Sequence, residues 1–230
     1  MVDHSYSADF LYRYRNSYSD KLKDFDAFVF RDNEAEKFSG KWNELVFKNN
    51  SPICLEIGTG FGYFMIDYCE NHPTENFVGL DYRFKRSFTL AKKLNNLKYR
   101  NFSYLRAKGE RIEFIFGESE VSKIFYFFPD PWPKNKHHKK RLFQEPFLQA
   151  AYKILRPGGQ IFVKTDHLGY AEWMKEVIAK NSDFNLLLES YNLRTEHPEH
   201  FLTKNITKFE KIFIAQGKKI NAFVLETKKQ

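Results

Sequence analysis

The sequence predicts an α/β fold, a doubly wound and mostly parallel sheet with helices on both faces and an antiparallel C-terminal edge. Three observations predict it. From Pro52 onward, short apolar runs alternate with amphipathic stretches across short connections, as in a succession of βαβ units. A glycine-rich turn, Gly58-Thr59-Gly60-Phe61-Gly62, separates the first such strand from the first such helix. Acidic or proline-rich residues then follow strand after strand, at the end where ligands bind in open sheets of this kind.

Taken in order, residues 33–47 bring Ala35, Phe38, Trp42 and Leu45 to helical spacing and predict a helix. Residues 53–57 are a short apolar strand, and 63–70 a helix with Phe64, Met65 and Tyr68 on one side. Residues 77–81 form a second strand, 84–97 a helix carrying Phe88, Ala91 and Leu94, and 102–105 a third strand. Residues 124–128 are an aromatic fourth strand, halted by Pro129, Pro131 and Pro133. Each proline lacks a backbone donor and fixes its own φ, so a rigid loop leaves the core here. Residues 143–155 are an amphipathic helix stopped at Pro157-Gly158-Gly159. Residues 160–165 are a fifth strand ending in Asp166, and 170–179 a further helix. Segments 184–191 and 209–224 read as the antiparallel edge pair.

Residues 1–30 read as an N-terminal arm, partly disordered, and 31–230 as a single domain. Phe10, Tyr12, Arg13, Tyr14 and Arg15 show no clean period. Packing of the arm on the domain is the preferred reading, and a grip on RNA the alternative.

At 230 residues the chain suffices for one α/β domain with a sizeable core. Its 37 Lys+Arg against 29 Asp+Glu give a net charge of +8, which permits nucleic acid or an anionic surface as partner. Aromatics at 18% favour a filled core over disorder. No run of about 18 apolar residues predicts a membrane span, and the N-terminus has no apolar signal region. Cys54 and Cys69 fall in a predicted strand and helix and form no metal or redox motif, the pattern of a reduced cytoplasmic protein.

The glycine turn has the spacing GxGxG, with Tyr63 where a dinucleotide fingerprint requires glycine. Glu56, two residues before Gly58, suits a cationic amine better than a pyrophosphate. S-adenosylmethionine is such a ligand, with an ammonium, a sulfonium and no phosphate. Gly58, Gly60 and Gly62 let the backbone approach it closely. Asp81 ends the second strand about twenty residues beyond the turn, where an acid binds ribose hydroxyls. For adenine the chain offers Arg106-Ala107-Lys108-Gly109-Glu110, with backbone N–H groups and the Glu110 side chain both open as contacts.

The loop Phe128-Pro129-Asp130-Pro131-Trp132-Pro133-Lys134, followed by His137-His138-Lys139-Lys140-Arg141-Leu142, resembles the tRNA (guanine-N7)-methyltransferases. The resemblance spans residues 42–210. It is carried also by Leu55-Glu56-Ile57-Gly58-Thr59-Gly60, Thr165-Asp166 and Thr207-Lys208-Phe209-Glu210. It implies a Rossmann-like methyltransferase sheet, S-adenosylmethionine as cofactor, no metal, and tRNA as partner, methylated at N7 of a variable-loop guanine. Glu56, Asp81 and Asp130 would then lie on the cofactor side, with Asp130 also the catalytic acid. Lys134, Asp166, Thr207, Lys208, Phe209 and Glu210 would lie on the tRNA side. The chain departs from the family at Lys108-Gly109, where an Asp-Ala pair is frequent, and at Tyr63, where lysine is frequent. Lys136 and Lys140 stand where arginine is common, which keeps charge but loses bidentate phosphate geometry.

The chemistry agrees with that resemblance. Guanine N7 is an exposed acceptor with a free lone pair, so its methylation needs alignment rather than a strong base. The purine becomes cationic as the bond forms, and a nearby carboxylate stabilises that charge. Asp130 on a proline-stiffened loop fits this orienting and electrostatic role. Amino-group methyltransferases carry an Asn/Asp-Pro-Pro-aromatic loop, whereas here the order is Asp130-Pro131-Trp132-Pro133. Trp132 either stacks on a base or, the preferred reading, packs against its own loop. Asp166 either accepts from guanine N1–H and N2 or caps the following helix. The cations from Lys134 to Arg141 read as phosphate contacts, and His137 and His138 as RNA-facing or solvated. Phe209 reads as a strand residue packed in the core, with Lys208 and Glu210 facing out.

Overall fold

The computed structural model describes residues 4–12 and 16–230. The N-terminal segment gives a short helix, α1 (Ser17–Lys21), and an edge strand, β1 (Val29–Arg31). Then follow β2 (Ile53–Ile57), α2 (Tyr63–Asn71), β3 (Asn76–Asp81), α3 (Phe84–Asn95), β4 (Phe102–Arg106) and α4 (Ile112–Ile115). The second half runs β5 (Val121–Phe127), α5 (Glu145–Ile154), β6 (Leu155–Thr165), α6 (Leu168–Ala179) and β7 (Phe184–Ser190). Two single turns, α7 (Leu193–Glu196) and α8 (Phe201–Lys204), precede α9 (Lys208–Ala215) and β8 (Asn221–Thr227).

The strands form one sheet in the order β1-β4-β3-β2-β5-β6-β8-β7. All pairs from β1 to β6 are parallel, and β8 runs antiparallel between β6 and β7. This is the doubly wound sheet with an antiparallel C-terminal edge that the sequence predicts. From β2 the chain steps outward through β3 to β4, then returns to lay β5 on the other side of β2. The reversal between β2 and β5 is the switch point at which such sheets open a crevice beyond their strand ends.

Side chains alternate across the sheet and fill two cores. Ile53, Leu55 and Ile57 of β2 and Ile124 and Tyr126 of β5 pack under α5 and α6, with Phe147, Leu148, Tyr170 and Met174. Cys54, Phe125 and Phe127 point the other way, under α2 and α3 and beside Leu202 of α8. The active edge therefore has two flanks, one led by α5 and α6, the other by α2, α3 and α9.

Four expectations change. The fifth strand begins at Leu155 rather than 160 and runs through Pro157-Gly158-Gly159. Residues 33–47 are not one α-helix but a 3₁₀ turn, Asp32–Phe38, and a π-helical turn, Trp42–Phe47. Between them Gly40 is left-handed at φ +74°. The Glu120 carboxylate accepts from Gly40 N–H and Trp42 N–H, each at 2.8 Å, and this long-range anchor outweighs local helical periodicity. The fourth strand begins at Val121 rather than 124, because Ser122 donates to the Ile53 carbonyl at 2.7 Å and Lys123 pairs with Glu75 at 2.7 Å. Segment 209–224 is α9 followed by β8, not continuous strand.

The described N-terminal residues pack against the β4 edge. Buried Arg111 holds Glu36 through Nε at 2.9 Å and the Ser5 carbonyl at 2.9 Å. The Lys108 N–H donates to the Tyr12 hydroxyl at 2.8 Å. The sequence readings at Arg13, Tyr14 and Arg15 lie outside the described residues. Among the described residues, no helix is long and apolar enough to cross a membrane.

Candidate active site

The glycine turn is built from three backbone bonds, one of them Gly62 N–H to the Thr59 carbonyl at 2.9 Å, and three left-handed glycines. Gly58 and Thr59 both donate to the Leu80 carbonyl, at 2.8 and 3.0 Å. Gly58, Gly60 and Gly62 sit at φ +86°, +60° and +73°, where a side chain is strained. At Gly62, which opens α2, an added Cβ would also lie 2.2 Å from Leu90 Cδ1. Gly62→Ala is therefore expected to cost about 1–2 kcal/mol, seen as a lower midpoint in urea unfolding.

Glu56 lies one residue before the end of β2, between Gly79 of β3 and Phe125 of β5. It is 5% exposed and its Oε2 has no hydrogen-bond partner. Burial pushes its carboxyl up to about 8, offset in part by the Thr59 hydroxyl and reinforced by the charge of Asp81. A buried carboxylate with an unfilled oxygen fits a small cationic group. Asp81, also buried, accepts from Gly60 N–H through Oδ2 at 3.0 Å and from Arg83 N–H through Oδ1 at 2.8 Å. It thus fixes the glycine turn as well as ending β3.

A cleft of about 290 Å³ opens beyond the ends of β2, β3, β4 and β5. Gly58, Asp81, Ala107, Glu110, Asp130 and Trp132 are among the residues in its wall. Glu56, Gly60 and Gly62, expected at the cofactor, lie outside that wall, Glu56 buried next to Ile57, which lines it. Gly60 is bonded to Asp81, and Gly62 packs on Leu90. Arg106, the last residue of β4, turns away to pair with Asp32, and beyond it Lys108 Nζ reaches Ser5 Oγ at 2.5 Å. Ala107, Gly109 and Glu110 stay at the cleft. A larger space of about 460 Å³, between the start of α5 and α6, carries none of the strand-end acids.

The proline loop crosses the cleft mouth. Phe128 N–H donates to the Lys164 carbonyl at 2.7 Å, which extends β5 by one bond. Phe128 then turns left-handed at φ +50°, and Trp132 does so again at φ +43°. Two bulky residues in that region store strain that surrounding contacts must hold. Arg141 supplies one of them. It is buried, donates through Nε to the Pro131 carbonyl at 2.9 Å, and lies 4.8 and 5.0 Å from the Tyr170 and Trp173 rings. Arg141 is thus a brace for the loop, not one of the solvent-facing cations expected from sequence. Trp132 is half-buried with Lys140 Nζ 4.6 Å above its ring and His137 against its edge. Asp130 projects from the braced loop with its side chain 71% exposed, and Arg83 approaches it to 3.8 Å from across the cleft.

The remaining expected residues divide. Lys134 is exposed at the head of the basic turn Asn135–Lys140. Asp166 pairs with Lys218 at 2.5 Å, and the cap of α6 is the His167 side chain instead. Thr207 is buried and caps α9 by accepting from Glu210 N–H at 3.1 Å. Lys208 is exposed and donates to the Tyr63 hydroxyl at 3.0 Å. Phe209 is 47% exposed on α9 rather than packed in a strand core. Glu210 does not face out. It is fully buried, pairs with Lys164 Nζ at 2.5 Å through Oε2 and so anchors α9, while its Oε1 has no hydrogen-bond partner. Sequence reasoning missed Lys164. An alternation count places it on the face of Phe162, where a lysine demands a partner.

The methyltransferase family model Methyltransf_4 matches residues 50–223. A tRNA (guanine-N(7)-)-methyltransferase of Enterococcus faecalis is 36% identical over 80% of this chain and 84% of its own length. That of Malacoplasma penetrans is 33% identical over 93% of this chain and 97% of its own. A bifunctional glycosyltransferase/methyltransferase of Fusobacterium nucleatum is 33% identical over 93% of this chain, which spans 33% of that longer protein. Among solved structures, the 16S rRNA methyltransferase KamB superposes with a TM-score of 0.57 at 18% identity, over 77% of this chain and 88% of its own; this likeness is one of fold. With the family model covering most of the chain and the two tRNA methyltransferases matched over more than four-fifths of their own lengths, the chain belongs to the tRNA (guanine-N(7)-)-methyltransferase family.

Proposed function

We propose that the chain methylates N7 of a guanine in the tRNA variable loop, in the cytoplasm, with S-adenosylmethionine as methyl donor. The observation that carries this reading is the pairing of two unlike carboxylates at one switch point. Glu56 is buried with an unfilled oxygen, and Asp130 is exposed on a braced loop.

When bound, S-adenosylmethionine supplies a methyl carbon activated by its sulfonium. Glu56 receives the ammonium of its methionine part, the Gly58 turn gives the backbone room, and Asp81 takes the ribose. Ala107, Gly109 and Glu110 border the adenine. Asp130 orients the guanine, and its charge opposes the positive charge that spreads over the purine as N7 gains the methyl group. Lys134 and the exposed Lys208 and Phe209 meet the RNA, while Asp166 stands at the guanine edge. Thr207 and Glu210 serve the substrate side by holding α9 in place.

Incubation with labelled S-adenosylmethionine and unmodified tRNA, then nucleoside analysis, tests the reading. Label in 7-methylguanosine is expected, and its loss when the variable-loop guanine is replaced. Label in another nucleoside, or none, defeats it.

A pH dependence follows from Glu56. Its folded value of about 8 lies above the ordinary 4.5, so the ligand-free protein loses stability as pH rises between those values. Cofactor binding needs the ionised form, so binding expels a proton and affinity rises toward pH 8. There the ligand's own α-amino group begins to lose its charge. In Glu56→Gln, calorimetry is expected to show affinity about 10- to 100-fold weaker at neutral pH, with no proton release from this site. Ligand-free Glu56→Gln should also gain thermal stability over wild type as pH rises.

A further inference from the structure

The flank of α2, α3 and α9 carries a surface that the proposed function uses only at Lys208 and Phe209. Phe61 and Tyr63, beside the glycine turn, are 38% and 43% exposed. Neither ring is bare. Lys93 Nζ lies 4.5 Å over Tyr63 and 5.8 Å over Phe61, and donates to the Phe61 carbonyl at 3.1 Å. Lys208 Nζ lies 4.6 Å from the centroid of the same Tyr63 ring. Next to them a depression of about 550 Å³ is lined by Tyr63, Asp67, Lys204, Ile206, Lys208 and Lys211. Three of these six are lysines and one is an acid. Phe209 adds a third exposed ring, stacked on Phe213.

We infer that this face is a second RNA contact surface, on which Tyr63 and Phe61 stack with bases and Lys93, Lys204 and Lys211 meet phosphates. The inference rests on tRNA being the substrate. Exposed rings interleaved with lysines are what single-stranded nucleic acid needs, since every base has a π-face and every linkage a charge. A protein partner fits less well, because interface cores are depleted of lysine. Position strengthens the assignment. The basic turn Asn135–Lys140 leads into α5, which packs on one sheet face with Phe143 and Phe147. Tyr63 opens α2 and Lys93 lies in α3, and these helices pack on the other face with Phe64, Leu90 and Phe213. The strand-end cleft lies between the two flanks. An RNA held on both straddles the sheet edge, with its target base over Asp130. On one flank alone it is free to pivot about the cleft.

The test measures tRNA binding by fluorescence anisotropy across a salt series, for wild type, Lys204→Gln/Lys211→Gln and Tyr63→Ala. Loss of two phosphate contacts should make the slope of log K against log salt shallower by about 1.5. Loss of the Tyr63 ring should weaken binding about tenfold. Cofactor affinity should stay at the wild-type value in Lys204→Gln/Lys211→Gln, which shows that the fold is intact. Lys134→Gln/Lys136→Gln, on the other flank, is run in parallel. Weakened binding there, with wild-type affinity and slope in both variants of this face, overturns the second surface and leaves the proposed reaction standing. Formation of 7-methylguanosine by the wild-type protein, read on the same tRNA, decides the reaction separately.

Discussion

Asp130→Asn is expected to lower kcat for tRNA methylation by about 10²–10³-fold, the range seen when one group aimed at developing charge is removed. The dissociation constant for S-adenosylmethionine should change far less. Asparagine keeps the volume and most of the hydrogen-bonding capacity, so the substitution removes the charge and little else. The loop itself should hold, because its supports are Arg141 on the Pro131 carbonyl and Phe128 N–H on the Lys164 carbonyl. Neither involves the Asp130 side chain. In the free protein that carboxylate is exposed and shared with Arg83 at 3.8 Å, and water screens it. Its charge becomes effective only when RNA covers the cleft and excludes that water. The loss should therefore fall on kcat rather than on cofactor binding, and single-turnover kinetics with pre-bound tRNA should show it in full. Equal losses in turnover and in cofactor affinity would move Asp130 to a purely binding role.

The parts of this site that follow local rules were legible in the sequence. Glu56, the GxGxG turn, Asp81 and the triple-proline loop are short motifs whose spacing fixes their place at strand ends. The structure puts Gly58, Asp81 and Asp130 around one cleft, with Glu56 buried at the end of β2. What escaped were residues whose role depends on distant partners. Arg141 reads as one more cation in a basic run, and only the packing of α6 reveals that the Tyr170 and Trp173 rings lie against it. The helix expected over 33–47 failed for a similar reason, since Glu120, far along the chain, anchors the break at Gly40. Segment 209–224 was different, because a local signal was present. Thr207-Lys208-Phe209-Glu210 has the spacing of a capping box, and Thr207 does cap α9. The Glu210 side chain does not return to the cap as that motif prescribes. It turns inward to Lys164, which no spacing rule would indicate.

That pair sets the second large effect. Glu210→Met is expected to destabilise the protein by about 3–5 kcal/mol, because it strands the buried Lys164 ammonium. Both side chains are fully buried, and Arg194 at 3.9 Å is the other cation near Glu210. Lys164 keeps two acceptors, the Leu202 and Asn205 carbonyls at 3.2 and 2.8 Å, but loses its hydrogen-bonded counter-charge, which leaves the more distant Glu56 as the acid that acts on it. Burial already lowers its pKa, with Glu210 opposing that shift, so removal of Glu210 lowers it further. A lysine whose folded value lies below its unfolded one loses stability as pH falls. Glu210→Met should therefore regain stability as pH rises from 7 toward about 10. Chemical denaturation across that range measures both effects, and a loss under about 1 kcal/mol with no pH slope would refute the assignment. Adding Lys164→Met should recover part of the loss but not all, since the two carbonyls then lose their donor. The unrecovered part measures how far Lys164 ties the turn after α8 to the sheet. The end of α8 and α9 carry Lys204, Lys208 and Lys211, so a variant that folds but docks them loosely should bind tRNA weakly while S-adenosylmethionine affinity is retained. On that outcome the buried pair acts at a distance from the chemistry, by fixing where α8 and α9 stand relative to the cleft.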